Sequence, residues 1–319
     1  MSDNLKVGTN SRVERAIQRA RDRNAALPGF SITRNISSNE TDREKRFLGE
    51  ILVDQGKLDP EQVDRILEHA RKKNLSFGDA AVDLRLISRS DQHHAVAEQF
   101  DYPYLLKGAG GHSQRLVAAY DPFSKKGQRY RNLRAQLLLH WEGAHRKTLA
   151  VVTPLEPEAS YLIAANLAVA FSQSGTRTLF VDADFSPKKR GKLFNVPTDG
   201  GLSSLLLGRV TLNDAARKLE HFRSLFVLPS GALPPNPGDL LARQQWANMV
   251  AEMRREFQVV IFNSPPFKDN AGAEIIVRRC GSALLAIQRN RTYISDLRAL
   301  QNILKDSGAD IVGSVLLKS

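Results

Sequence analysis

The run Thr148-Leu149-Ala150-Val151-Val152-Thr153 decides the fold together with its continuation, Pro154-Leu155-Glu156-Pro157-Glu158-Ala159-Ser160-Tyr161 and then Leu162-Ile163-Ala164-Ala165-Asn166-Leu167-Ala168. An apolar run without polar alternation reads as a strand covered on both faces. The stretch Pro154 to Tyr161 is followed by a run through Ala164-Ala165-Asn166-Leu167-Ala168 that reads as a helix. Outward from this unit the pattern repeats, with strand-like runs at Thr178–Asp182, Leu225–Leu228, Val259–Asn263, Ala283–Gln288 and Ile311–Leu316 separated by helical stretches. The predicted fold class for residues 128–319 is therefore α/β, a doubly wound and mainly parallel sheet. Ligands of such sheets sit beyond the carboxyl ends of the strands. That rule points to Asp182-Ala183-Asp184 and Asn263-Ser264-Pro265-Pro266.

Upstream the periodicity changes. Across residues 46–106 apolar residues recur at helical spacing, as in Phe47, Leu48, Ile51, Leu52 and then Leu58, Val63, Ile66, Leu67, which predicts a small helical domain. Gly56 is placed to end one helix, and Asp59-Pro60 to cap and open the next. Phe77-Gly78-Asp79-Ala80 echoes Phe47-Leu48-Gly49-Glu50, and Leu86-Ile87-Ser88 echoes Lys57-Leu58-Asp59, so an internal duplication of about thirty residues is expected. Residues 107–127 are glycine-rich, lack periodicity and read as a linker. Residues 1–45 are polar and arginine-rich and read as a disordered basic leader, with Ser11 placed to cap a short helix through Ala25.

Composition sets the outer bounds. A chain of 319 residues suits two or three domains, and a 42% hydrophobic share is enough for real cores. Forty-six Lys and Arg against thirty-four Asp and Glu leave a net charge of +12, which biases the chain toward anionic partners. Nucleic-acid binding is not expected, because neither an aromatic platform nor a reading helix accompanies the charge. The single cysteine, Cys280, excludes a disulfide framework and reads as core. His93 and His94 have no partner ligand at helical spacing, and no metal site is expected. The chain has no apolar stretch of membrane-spanning length and no signal-like leader, so a cytoplasmic protein is expected, with recruitment to the inner membrane by a partner.

Several features recur in order over about 190 residues: Arg131-Asn132-Leu133-Arg134, Ala164-Ala165-Asn166-Leu167-Ala168, Asp182-Ala183-Asp184, Pro234-Pro235-Asn236-Pro237 with Leu240-Leu241, Ser264-Pro265-Pro266, and Val312-Gly313-Ser314-Val315. On these residues the segment from Gln128 to Leu317 resembles the bacterial exopolysaccharide tyrosine autokinases of the cytoplasmic, EpsG-type kind, relatives of the Min and Par P-loop ATPases. The helical segment resembles the N-terminal domain of secretion-type assembly ATPases. A repeated Arg-Leu-Gly motif there can bind cyclic di-GMP, but Arg46-Phe47-Leu48-Gly49 and Leu75-Ser76-Phe77-Gly78 depart from it, so a protein-docking module is expected instead.

The resemblance implies a nucleotide loop of the form Ser-Pro-x-x-Gly-Glu-Gly-Lys-Ser. Laid on this chain without gaps, it puts Pro157 and Ala159 at the glycines, Glu158 between them, Ser160 at the lysine and Tyr161 at the magnesium-binding hydroxyl. Glycines are needed so that backbone N–H groups turn toward phosphate, and lysine neutralises the transferred group. Pro157 has no N–H. The second motif keeps Asp182 and Asp184 but has Ser186 in place of a base; the third ends in Asn263 where an acid holds Mg²⁺. An amide attracts a divalent cation far less than a carboxylate. At roughly 1.5–3 kcal/mol per charge-assisted contact, three losses remove about 5–9 kcal/mol. That moves a micromolar site to about millimolar affinity or weaker.

The reading from sequence is therefore a catalytically silent homologue with no cofactor, acting as scaffold or regulator in polysaccharide chain-length control and export. Asp182 and Asp184 are remnants whose carboxylates otherwise cap the following loop, and Lys188, Lys189 and Arg190 read as a solvated turn. The expected partner is a membrane chain-length determinant (a polysaccharide co-polymerase) or an active paralogous kinase. The alternative is an active autokinase using ATP and Mg²⁺. The family's ring-forming helix motif Glu-x-x-Arg-x-x-Arg appears as Gln128, Arg131 and Arg134, which makes the two arginines candidates for subunit contact in a homo-oligomer.

Overall fold

The computed structural model describes residues 47–100, 102–106, 108–142, 147–186, 193–268 and 270–317. The leader, including Ser11 to Ala25, and the basic run Lys188 to Arg190 lie outside the described residues. The chain divides into two compact units between Tyr102 and Pro103.

Among the described residues the first unit holds four helices: α1 (Leu48–Asp54), α2 (Pro60–Lys73), α3 (Phe77–Asp83) and α4 (Arg89–Gln99). Their apolar faces meet in one small core of Ile51, Leu52, Leu58, Ile66, Ala80, Ala81 and Ile87. The duplication is visible bond by bond. Gly56 N–H donates to Val53 and Lys57 N–H to Leu52; in the second half Arg85 N–H donates to Val82 and Leu86 N–H to Ala81. Proline or a capping box then opens the next helix at Asp59-Pro60, and Ser88 does so in the copy. At the turn the copies differ in residue type. Gly56 has φ of 65° and Arg85 has φ of 58°, so a side chain occupies a left-handed position built for glycine.

The second unit is a seven-stranded sheet with strands β1 (Thr148–Val152), β2 (Thr178–Asp182), β3 (Arg217–Lys218), β4 (Leu225–Leu228), β5 (Val259–Asn263), β6 (Ser282–Gln288) and β7 (Asp310–Leu317). Their order is β3-β4-β2-β5-β1-β6-β7, all parallel except β3, a two-residue edge strand that sequence reading missed because it is too short to show a period. Alternate residues of β1 face opposite layers: Ala150 and Val152 pack with Trp246, Ile276 and Leu300, whereas Leu149 and Val151 pack with Ile163, Leu167 and Phe171. Both faces are thus covered, which is why the strands carry no polar alternation.

On the second face lie α5 (Val117–Tyr120), α6 (Lys125–His140) and α7 (Pro157–Ser172). The first face is covered by α8 (Leu202–Leu206), α9 (Leu212–Ala215), α10 (Pro237–Ala242), α11 (Gln244–Glu256), α12 (Ala271–Cys280) and α13 (Ile294–Asp306). Helix α7 is buried on nearly every side from Ala159 to Ser172, as expected of a helix sandwiched between sheet and outer layer. Cys280 is buried in the first core, as its apolar context predicted, and burial pushes its thiol well above the usual range. Among the described residues no helix is long and apolar enough to cross a membrane.

The structure corrects the expected linker. Leu116, Ala118, Ala119 and Tyr120 are buried in the second core, and Asn166 of α7 accepts the Ala118 N–H at 2.9 Å while donating to the Arg115 and Leu162 carbonyls. Gln173 donates to the Pro103 and Ala118 carbonyls, so two buried amides stitch residues 103–120 to the α7 end of the sheet. Glycine content misled the reading, because these contacts are made by single polar groups rather than by a periodic apolar face. In the same segment His112, 9% exposed, accepts the Asn195 N–H at its Nδ1 at 2.9 Å. Burial, with the nearby His221 adding to it, holds the His112 imidazole below its ordinary pKa.

Two outcomes are expected. Gly56→Ala should destabilise and Arg85→Gly stabilise the first unit by about 1 kcal/mol each, read as calorimetric midpoints of the full chain; the same sign for both would sink the duplicated-turn reading. Because its folded pKa is depressed, His112 contributes stability above about pH 6.5 that is lost as pH falls. Between pH 7.5 and 5 the parent should therefore lose more stability than His112→Asn, which keeps an acceptor that does not titrate.

Candidate functional site

The topology brings the three motifs together. Strand β5 lies between β1 and β2, and its last residue, Asn263, pairs in register with Asp182 of β2 and Val151 of β1. Chain order reverses around β1, so the crevice of the doubly wound sheet opens above these strand ends. Helix α7 starts there.

The loop from β1 to α7 runs Thr153-Pro154-Leu155-Glu156, and Pro157 is already the first residue of the helix. Neither proline has an N–H to offer a phosphate. The carbonyls of Thr153 and Pro154 accept the N–H groups of Phe267 and Lys268 at 3.0 and 3.1 Å, which straps the loop onto the segment after β5. Ala159 is buried, so its methyl group fills space that a glycine would leave to a ligand. Glu156 and Glu158 flank the helix N-terminus, where carboxylates complement the helix dipole and oppose another anion. Arg115 Nη1 pairs with Glu158 at 2.5 Å and Arg291 Nη1 approaches Glu156 at 3.8 Å.

Ser160, which the resemblance sets against a lysine, is completely buried. Its hydroxyl lies 2.9 Å from Asn263 Oδ1 and 3.0 Å from the Pro157 carbonyl, so its single proton is shared between them. Asn263 Nδ2 then donates to Asp182 Oδ1 at 2.8 Å. The carboxylate accepts only, which requires the amide nitrogen to face it. Ser160, Asn263 and Asp182 thus form one hydrogen-bond chain across the strand ends. Asp182 Oδ1 also accepts the Asp184 N–H at 3.3 Å, and Asp184 Oδ1 accepts the Ser186 N–H at 2.9 Å, so both carboxylates shape the turn after β2.

Tyr161 turns away from this chain. Its ring packs against Phe180 with centroids 5.7 Å apart and lines a cleft of about 150 Å³ with Phe180, Asp182, Phe194 and Val196. The structure therefore unites Pro157, Glu158, Ala159, Ser160, Asp182, Asp184 and Asn263 at one crevice and sends Tyr161 to its side. As they stand these residues do not fit MgATP: prolines interrupt the row of N–H groups, Ser160 offers no cation to phosphate, and the Asn263 amide offers a metal no charge.

Arg131 and Arg134 are engaged within their own chain. Arg131 donates to the Pro122 carbonyl and to Gln128 and stacks over Phe123, whereas Arg134 Nη1 donates to the Ala170 carbonyl at 2.6 Å. Arg134 reaches α7 through that bond. Arg115 and the buried amides Asn166 and Gln173 were not foreseen as structural ties; the one signal was a polar Asn166 within an otherwise apolar helical run.

The crevice yields two expected outcomes. Asn263→Ala should cost about 2–4 kcal/mol, because the buried Ser160 and the half-buried Asp182 both lose a hydrogen bond. Asn263→Asp sets two carboxylates side by side, which raises the pKa of the pair. Its destabilisation should be present at pH 7.5, fade toward pH 4.5 as the pair takes up a proton, and persist in Mg²⁺ at roughly 10 mM, a saturating level for an ordinary Mg²⁺ site. Denaturant midpoints with and without the metal decide it; full rescue by Mg²⁺ would reveal a latent metal site.

No family model matches the chain. The tyrosine-protein kinase YwqD of Bacillus subtilis is 27% identical over 213 residues, covering 66% of this chain and 90% of its own. The tyrosine-protein kinase CpsD of Streptococcus agalactiae is 29% identical over 196 residues, covering 61% and 84%. Among solved structures, the kinase domain of the Escherichia coli tyrosine kinase ETK superposes with a TM-score of 0.59 at 25% identity, covering 64% of this chain and 79% of that domain. With the shared sheet and the ordered strand-end motifs, these likenesses identify the chain as a homologue of the bacterial tyrosine-protein kinases.

Proposed function

We propose that the chain is a catalytically silent homologue of the exopolysaccharide tyrosine kinases and serves as a cytoplasmic scaffold or regulator of polysaccharide chain-length control and export. One observation carries the reading: a hydrogen-bond chain runs from Ser160, which the resemblance sets at the kinase lysine, through Asn263, which it sets at the acid that holds Mg²⁺, to Asp182. An internally satisfied chain that offers no cation and ends in a carboxylate has nothing to gain from triphosphate. Opening it costs the hydrogen bonds of buried groups, and closing it around MgATP returns no lysine at the Ser160 position. The fold itself is intact, so a partner-binding surface can persist after chemistry is lost. The partner is a membrane chain-length determinant or an active paralogous kinase, and self-association belongs to the same reading.

Retention of Asp182 and Asp184 favours the other reading, an active autokinase using ATP and Mg²⁺. Calorimetric titration of the full chain with MgATP separates the two. Silence requires no saturation below about millimolar, the affinity left after the lost contacts. Low-micromolar binding that disappears in Asp182→Ala/Asp184→Ala, accompanied by labelled phosphate transfer to tyrosine, would overturn the proposal.

A further inference from the structure

At the opposite end of the sheet, where the parallel strands begin, a cavity of about 550 Å³ opens between the ends of three helices. Its lining includes His140 and Trp141 after α6, Val250 and Arg254 of α11, and Arg278 and Arg279 in the last turn of α12. This volume lies in the range of small-molecule sites, whereas the cleft beside the crevice holds about 150 Å³.

The charge is as informative as the size. Asp310, the acid of the lining, is held by His140 at 2.6 Å. Arg278 and Arg279 have no carboxylate within ion-pair distance among the described residues, and both are exposed to the cavity mouth. Arg254 is fixed as a wall: its Nη2 donates to Thr148 Oγ1 at 3.1 Å and to the Cys280 carbonyl at 3.2 Å, which locks the end of α12 and with it the position of the two arginines. Val250 and Ala247 add an apolar side. A half-open cavity lined by Arg254, by the successive exposed residues Arg278 and Arg279 and by an apolar wall suits a compact organic polyanion, since arginine presents paired N–H donors to phosphate. From this arrangement we infer that the cavity is a binding site for a multiply phosphorylated small molecule of nucleotide size, separate from the crevice at the other end of the strands. The volume argues for a small molecule rather than an acidic peptide.

Arginines in a last helical turn also offset the helix dipole, so the test must move something that such a role would not. The full chain is titrated calorimetrically, in EDTA, with inorganic tripolyphosphate, with GTP and with an oligoglutamate peptide. Saturable sub-millimolar binding of tripolyphosphate or GTP is expected, weakened about tenfold by Arg278→Gln and again by Arg279→Gln, and unchanged by Asp182→Asn. Tighter binding of GTP than of tripolyphosphate supports a nucleotide, and equal binding supports the phosphates alone. Arg279→Lys, which keeps the charge, should retain much of the affinity, while unchanged melting of the glutamine variants shows that they fold. No saturation, equal affinity in the double glutamine variant, or binding of the oligoglutamate alone would overturn the inference.

Discussion

The amide of Asn263 is the constraint on which the crevice depends. It stands at the end of the strand that separates β1 from β2, faces a buried serine on one side and a carboxylate on the other, and satisfies both. Buried polar groups need partners, and with no cation or metal-holding acid beside them the groups present here close on each other. Ser160 and Asn263 do so without a net charge. The same bonds tie α7 to β5 and β2, which makes the crevice a structural joint between helix and sheet.

Charge distribution follows from that change. The protein carries +12 overall, yet the crevice is framed by Glu156, Glu158, Asp182 and Asp184. Two of these shape a turn through backbone N–H groups, and the other two sit at a helix N-terminus, where negative charge is favourable. The surplus of arginine lies elsewhere, including the far edge of the sheet around Arg278 and Arg279. The acidic crevice and this arginine pair therefore lie at opposite ends of the strands.

Much of this was legible along the chain. Six of the seven strands stand where continuous apolar runs predicted them, because a strand covered on both faces leaves a signal in every residue. The helical duplication was legible for a similar reason: each turn repeats a capping residue and an apolar pair. The stretch 107–127 was misread, since what holds it is two distant amides, Asn166 and Gln173, whose partners are backbone groups with no sequence signature.

Sequence alone determined which chemical groups are missing from the crevice: Pro157 without an N–H, Ala159 and Ser160 without glycine's freedom or lysine's charge, and Asn263 without a carboxylate. These are properties of single residues and survive any folding. Only the tertiary structure decided that Ser160, Asn263 and Asp182 satisfy one another, and that Tyr161 turns toward Phe180. Those residues come from three separate elements, and the strand order that sets β5 between β1 and β2 is fixed by packing over the whole sheet rather than by any local pattern.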